Sequence, residues 1–284
     1  MLRSLLTPAV IFAILIVSVA TLLPGRGFAQ QTSTATSGDK KDPQKVEKVD
    51  KNQKNFTAEQ VAESAIFLYG SRELLAKIRR NGVESGRICK PTCDIEKREE
   101  ASYQRRFVRG ESMDTDKIRL DQKMPTLEYS LIYGSGRLWG IINGSAFTPR
   151  QDAASTFLSQ HHHSIDNLLR YKENGSTLSL VGKDKQKGLD LYVLDVIDKE
   201  KQSTRYYISA KSLHVLWLEY EEPVSGGSPL KYSRKFMDYR YAQGTLVPYR
   251  TILLEDGKQI QETRILNVTY GIKIDDGLFK SPEA

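Results

Sequence analysis

The chain has 284 residues, 39% hydrophobic and 27% charged, a globular composition with enough length for one large domain or two small ones. Its formal net charge is +7, or +5 once Arg3 and Arg26 are left out. Lysine and arginine alternate with aspartate and glutamate nearly everywhere, which excludes the concentrated basic element of a nucleic-acid binder and leaves only weak attraction to anionic membrane head groups.

Residues 1–29 read as a secretory signal peptide. Arg3 leads into an apolar run over 5–23, Pro24-Gly25-Arg26 follows, and Gly27-Phe28-Ala29 supplies a small-x-small cleavage site. The run approaches the roughly 20 apolar residues that span a bilayer, so an uncleaved membrane anchor is the alternative; Pro8, Ser18 and Pro24 interrupt it. Residues 30–55 hold only Val46 and Val49 as larger apolar side chains and read as a disordered polar linker. The folded domain is expected over 56–284.

Thr57 with Gln60 forms a capping-box pattern, with Phe56 placed as a hydrophobic staple. A helix should run to Tyr69 with Val61, Ala65 and Leu68 near one face. Ser71 can cap a second short helix carrying Leu74, Leu75 and Ile78. The only two cysteines, Cys89 and Cys93, flank a Lys-Pro-Thr turn. An exported compartment is oxidising, so they are expected to form a disulfide; a metal site would need further ligands, of which Asp94 and Glu96 are weak candidates. No metal is expected.

Period-two alternation then predicts three to five strands over 82–143. Leu127, Tyr129, Leu131 and Tyr133 fall on one face, Glu128 and Ser130 on the other. Helical spacing returns with Thr148 as cap, Pro149 at the first helical position and Gln151 beyond it; Ala153, Ala154, Phe157 and Leu158 form the apolar stripe, continued after Ser164 by Ile165, Leu168 and Leu169. From Thr177 onward six or seven strands are expected, with turns over 182–188 and 223–229, at Gln243-Gly244 and at Asp256-Gly257. The fold class is α+β, mostly antiparallel β: about 10–11 strands, curling as so large a sheet does, with helices covering its apolar concave face. That interior is either a packed core or an apolar pocket.

Motifs of catalysis are missing from the sequence: it has no His-Glu-x-x-His, no Gly-x-Ser-x-Gly, no phosphate-binding glycine loop and no dinucleotide fingerprint. His161, His162 and His163 point about 100 degrees apart on a helix, so they cannot converge on one metal, and read as a polar helix end, with a pH-sensitive or adventitious metal patch as the alternative. Glu219, Glu221 and Glu222 beside Trp217 and Tyr220 are the best acid/base candidates, and weak ones. Trp139 and Trp217, large rings on a curved sheet, are expected at the cavity or its rim.

Several stretches together resemble the outer-membrane lipoprotein carrier or lipoprotein-sorting (LolA-like) proteins. They are "YYISAKSLHVLWLEYEE"; "FMDYRYAQGTLVPYRTILLEDGK" with Phe236, Asp238-Tyr239-Arg240, Gly244 and Pro248; and "ILNVTYGIKIDDGLFKSPEA" with Asn267, Ile274-Asp275-Asp276, Phe279 and Pro282. Upstream, "AIFLYGSRELLAKIRR" is similar to the opening helix and "IYGSGRLWGIING" to a Gly-x-x-Trp strand pair. The resemblance implies a strongly curved incomplete β-barrel, its open side covered by helices, whose apolar cavity holds acyl chains without catalysis or cofactor. It implies a periplasmic chaperone for lipid or lipoprotein acyl chains, with an envelope donor or acceptor protein and transient membrane-surface contact as partners and no nucleic acid. It also implies a strand arginine that latches the helical lid, here among Arg105, Arg106, Arg109 and Arg119. Strand parity and helix stripe place Leu127, Tyr129, Leu131, Tyr133, Trp139, Phe157, Ile165, Leu168 and Trp217 at the cavity. The alternative function is a non-catalytic envelope interaction module with a filled core. A cavity between residues 127–133 and 157–169 distinguishes the two.

Overall fold

The structure is a computed structural model that describes residues 56–90, 101–224 and 226–280. The chain divides into two compact units, Met1–Asn52 and Gln53–Ala284, and every described residue belongs to the second. The expected signal peptide and linker lie outside the described residues.

Helix α1 (Ala58–Tyr69) starts at the expected capping box, with the Thr57 hydroxyl accepting from the Gln60 amide at 3.2 Å and the Gln60 side chain accepting from the Thr57 amide at 2.9 Å. It buries Val61, Ala62, Ala65, Ile66 and Tyr69, while Leu68 is only partly buried and Phe56 meets the Tyr192 ring edge-on at 5.8 Å. Ser71 caps α2 (Arg72–Ile78).

Six strands follow: β1 (Asn81–Cys89), β2 (Ala101–Val108), β3 (Lys117–Lys123), β4 (Glu128–Gly134), β5 (Arg137–Ile142) and β6 (Ser145–Phe147). Helices α3 (Gln151–His162) and α4 (Ile165–Leu169) come next, then β7 (Thr177–Gln186), β8 (Leu189–Ile197), β9 (Ser203–Ser209), β10 (Val215–Glu222), β11 (Leu230–Ala242), β12 (Thr245–Glu255) and β13 (Lys258–Tyr270). The 13 strands exceed the expected 10 or 11. Two of the upstream six carry little alternation: β1 has Gly82 and Gly86 where inward side chains would stand, and β6 is three residues long. Helix α3 begins at Gln151 with Arg150 as its cap, not at Thr148 and Pro149. The expected turn over 182–188 narrows to Lys187-Gly188; Gly182 lies inside β7, where the register against β8 shifts.

Five hairpins close through two residues that both have positive φ, a non-glycine followed by glycine: Ser135-Gly136, Asn143-Gly144, Lys187-Gly188, Gln243-Gly244 and Asp256-Gly257. This is the turn whose twist matches that of antiparallel strands. The sheet order is β6-β5-β4-β3-β2-β1-β13-β12-β11-β10-β9-β8-β7, an open antiparallel sheet. Two meanders therefore meet at one seam, β1 against β13. The two edge strands, β6 and β7, are consecutive in the chain, so the connection that carries α3 and α4 must travel from one edge of the sheet to the other.

That connection covers the concave face together with α1. On the β7–β11 side the face is filled: Tyr192, Leu194, Tyr206, Ile208, Leu218 and Tyr220 pack against Val61, Ala65, Ile66, Leu168 and Leu169, at roughly 1.5–3 kcal/mol for each large side chain buried. A smaller core of Phe107, Ile118, Tyr133, Val247, Val268 and Tyr270 lies nearer the seam, with Phe157 and Leu158 against it. Leu191, Val193 and Tyr207 form a separate cluster on the opposite face.

Candidate ligand cavity

Cross-strand register sets the inward rows of the β1–β4 side. One row runs Glu84, Arg105, Leu120, Leu131 and the next Gly86, Tyr103, Gln122, Tyr129. Facing them, α3 presents Phe157, Gln160 and His161, and α4 presents Ile165 and Asp166. Arg234 and Phe236 of β11 and Ile265 of β13 complete the wall. Between these elements is a cavity of about 460 Å³, within the roughly 300–1,000 Å³ of small-molecule sites.

Buried charge ties the helices to the sheet. Asp166 lies 2.6 Å from Arg109 and 3.7 Å from Arg79, and Arg79 donates to the Tyr270 hydroxyl at 3.1 Å. Burial alone would raise the Asp166 carboxyl, but the two guanidiniums hold it well below the usual carboxylate range. Arg170, just past α4, grips Asp116 through two bonds of 3.0 and 2.9 Å and donates to the Gly110 carbonyl at 2.9 Å. From β11, Arg234 donates to the Gln160 carbonyl at 2.9 Å and the His163 carbonyl at 3.3 Å. Of the four arginines singled out as latches, Arg109 reaches α4 and Arg105 faces the cavity, whereas Arg106 and Arg119 bond Asp121 beside β4. Sequence reasoning missed Arg234. Its signal was parity: in "YSRKF" it is in phase with Tyr232 and Phe236.

Four of the nine expected cavity residues line it: Tyr129, Leu131, Phe157 and Ile165. Leu127 precedes β4 and is 39% exposed. Tyr133 faces the same way but farther along, packed in the core with its hydroxyl donating to the Asp114 carbonyl at 3.0 Å. Leu168 is fully buried against α1. Trp139 pairs with Ile132 and so shares that residue's face, opposite Leu131. Trp217 stacks on Tyr207 at 4.4 Å in the cluster on the far side of the sheet. Glu219 is on that side too, accepting from Tyr207 at 3.1 Å and paired with Lys231 at 3.1 Å, so it has no place in the cavity.

The histidine run is not a polar helix end. His161 is buried with Nε2 3.1 Å from the Met113 carbonyl, and His163 is buried with Nδ1 2.7 Å from the Thr204 hydroxyl and its ring stacked on Tyr220 at 3.9 Å. Among the described residues no group of three or more potential ligands could hold a metal ion. Cys89 is disulfide-bonded; Cys93, Asp94 and Glu96 lie outside the described residues. No described helix is long and apolar enough to cross a membrane.

The cavity thus combines apolar side chains with guanidiniums. Neither a protein-family model nor a curated protein matches the sequence. Solved structures do match in fold. A putative outer membrane lipoprotein-sorting protein domain from Vibrio parahaemolyticus is similar at a TM-score of 0.53 and 12% identity, over 77% of this chain and 97% of that one. A LolA superfamily protein from Nitrosomonas europaea is similar at 0.52 and 13%, over 81% and 100%. A DUF1329 family protein from Desulfovibrio piger is similar at 0.54 and 11%, over 80% and 98%. At such identities the likeness shows the fold, and the fold is LolA-like.

Proposed function

We propose that the protein is an exported, periplasmic carrier that holds the acyl chains of a lipid or lipoprotein in the cavity between β1–β4 and the α3–α4 connection, without catalysis. The observation that supports this reading is the uneven filling of the concave face: helices pack it solid on the β7–β11 side and leave about 460 Å³ on the other. Leu120, Leu131, Phe157 and Ile165 on its walls would shield a chain, and about six methylenes removed from water contribute roughly 5 kcal/mol before ordering costs. An envelope donor and acceptor protein, each in transient contact with a membrane surface, would load and unload it.

A second reading, an interaction module of the same fold, is favoured by the unpaired edge strand β7, where Val181 is 54% exposed, with Leu189 beyond the turn 49% exposed. Native mass spectrometry on protein exported and purified without detergent, followed by solvent extraction, decides between them. A stoichiometric acylated species is expected. A clean apo mass, unchanged after incubation with envelope lipids, would reject carriage and favour the module.

A further inference from the structure

Five cations and three carboxylates line the cavity, leaving two positive charges over. Most have partners or water. Arg79 shares Asp166 with Arg109, Arg150 pairs with Asp152 at 3.2 Å on the exposed rim, and Lys90 is exposed. His161 adds no charge, because burial holds it neutral.

Arg105 and Arg234 are different. Among the described residues neither has a carboxylate within ion-pair distance. The Arg105 guanidinium lies 5.0 Å from the centre of the Phe107 ring. Arg234 lies 5.7 Å from the Phe236 ring and otherwise donates through one guanidinium nitrogen to two backbone carbonyls, which carry no formal charge. Glu84 stands opposite Arg105 across the β1–β2 pair, yet its carboxylate is engaged by the Tyr103 hydroxyl at 2.7 Å. Two like charges facing one partly desolvated space are costly unless an anion joins them, and two guanidinium forks match the oxygens of a carboxylate or phosphate. Apolar side chains begin beside them: Leu120 is the cross-strand neighbour of Arg105, and Leu131 is the next in that row.

We propose that the cavity selects amphiphiles with one anionic group, a carboxylate or phosphate monoester, placed between Arg105 and Arg234, with the acyl chain running along Leu120, Leu131 and Phe157. This rests on the carrier reading and adds to it the chemistry of the head group.

The test uses the full chain, expressed with its own N-terminal segment and stripped of co-purified lipid. Titrations compare 1-palmitoylglycerol 3-phosphate, 1-palmitoylglycerol and inorganic phosphate. The phosphate-bearing lipid should bind about tenfold or more tightly than the neutral lipid of the same chain, with no binding of inorganic phosphate at matching concentrations. Arg105→Gln should abolish that preference, read as the ratio of the two lipids' affinities on the same variant, and Arg105→Lys should keep only the part of it that charge supplies without the fork; Arg105 holds no helix carbonyl, so its loss spares the attachment of α3. Equal binding of the two lipids overturns the anionic proposal and leaves the carrier reading standing. If neither lipid binds, both fall. If inorganic phosphate binds as tightly as the lipid, the site is one for a free anion and the amphiphile is wrong. The comparison on the unmodified chain decides these outcomes whether or not a variant folds.

Discussion

His161 and His163 are two residues apart and both buried, although on a continuous helix they would point to nearly opposite sides. The helix ends at His162, and His163 leaves it with φ −91 and ψ 72 to reach Thr204. Burial pushes both imidazoles down from 6.5 to about 3. The unfolded chain then binds protons that the native state refuses, so stability from this source is complete above about pH 6.5 and is lost as pH falls toward 3. Thermal unfolding followed by circular dichroism at pH 7.5, 6.5, 5.5 and 4.5 should show a falling midpoint. The double variant His161→Gln, His163→Gln should show a flatter slope between pH 6.5 and 5.5, above the range where Glu63, held at about 2 chiefly by Arg72, begins to matter. An unchanged slope would mean that other groups carry the pH dependence. The run was not legible as core because its placement depends on where the helix stops, which the residues themselves do not announce.

Strand β1 was the least readable element, and the reason is its packing. It forms the seam, pairing with β2 on one side and β13 on the other, with a register shift at Ser85/Gly86. A Cβ at Gly86 would stand 2.1 Å from the Arg264 carbonyl oxygen and 2.7 Å from the Tyr103 ring. Backbone on one side and a buried ring on the other leave nothing that can yield cheaply. Gly86→Ala should therefore destabilise the domain by about 1–3 kcal/mol, read as a lower urea midpoint at unchanged slope; a midpoint within error of the parent would show that the seam can shift. Where local signals were strong, the elements were legible: the α1 capping box and the Gly244 and Gly257 hairpins stand where the sequence placed them. Faces were harder. Alternation grouped Leu131 with Tyr133 correctly, but it cannot say which face of a strand is concave. Ring size and strand parity point Trp139 and Trp217 inward, yet both stand on the outer face, fixed by cross-strand partners.

At the scale of the molecule, the sheet has two sides of unequal solidity. The β7–β11 side shares one continuous core with α1 and α4; the β1–β4 side faces the cavity and α3, whose N-terminus lacks a side-chain cap and whose inward residues line open space. Local opening costs least where few apolar contacts must be broken. Amides of α3 should thus exchange with solvent orders of magnitude faster than those of α1, though both helices have 12 residues. A ligand that binds only the native state stabilises it by about 2.7 kcal/mol at 100 times its dissociation constant. If that ligand occupies the cavity, hydrogen-exchange mass spectrometry should place added protection in α3 and β1–β4, with β8, β9 and α1 unchanged below the limit of global unfolding. Protection appearing first along β7 would instead locate the partner at the open edge. The topology makes the two outcomes separable, because β7 and the cavity strands β2–β4 lie on opposite sides of the seam.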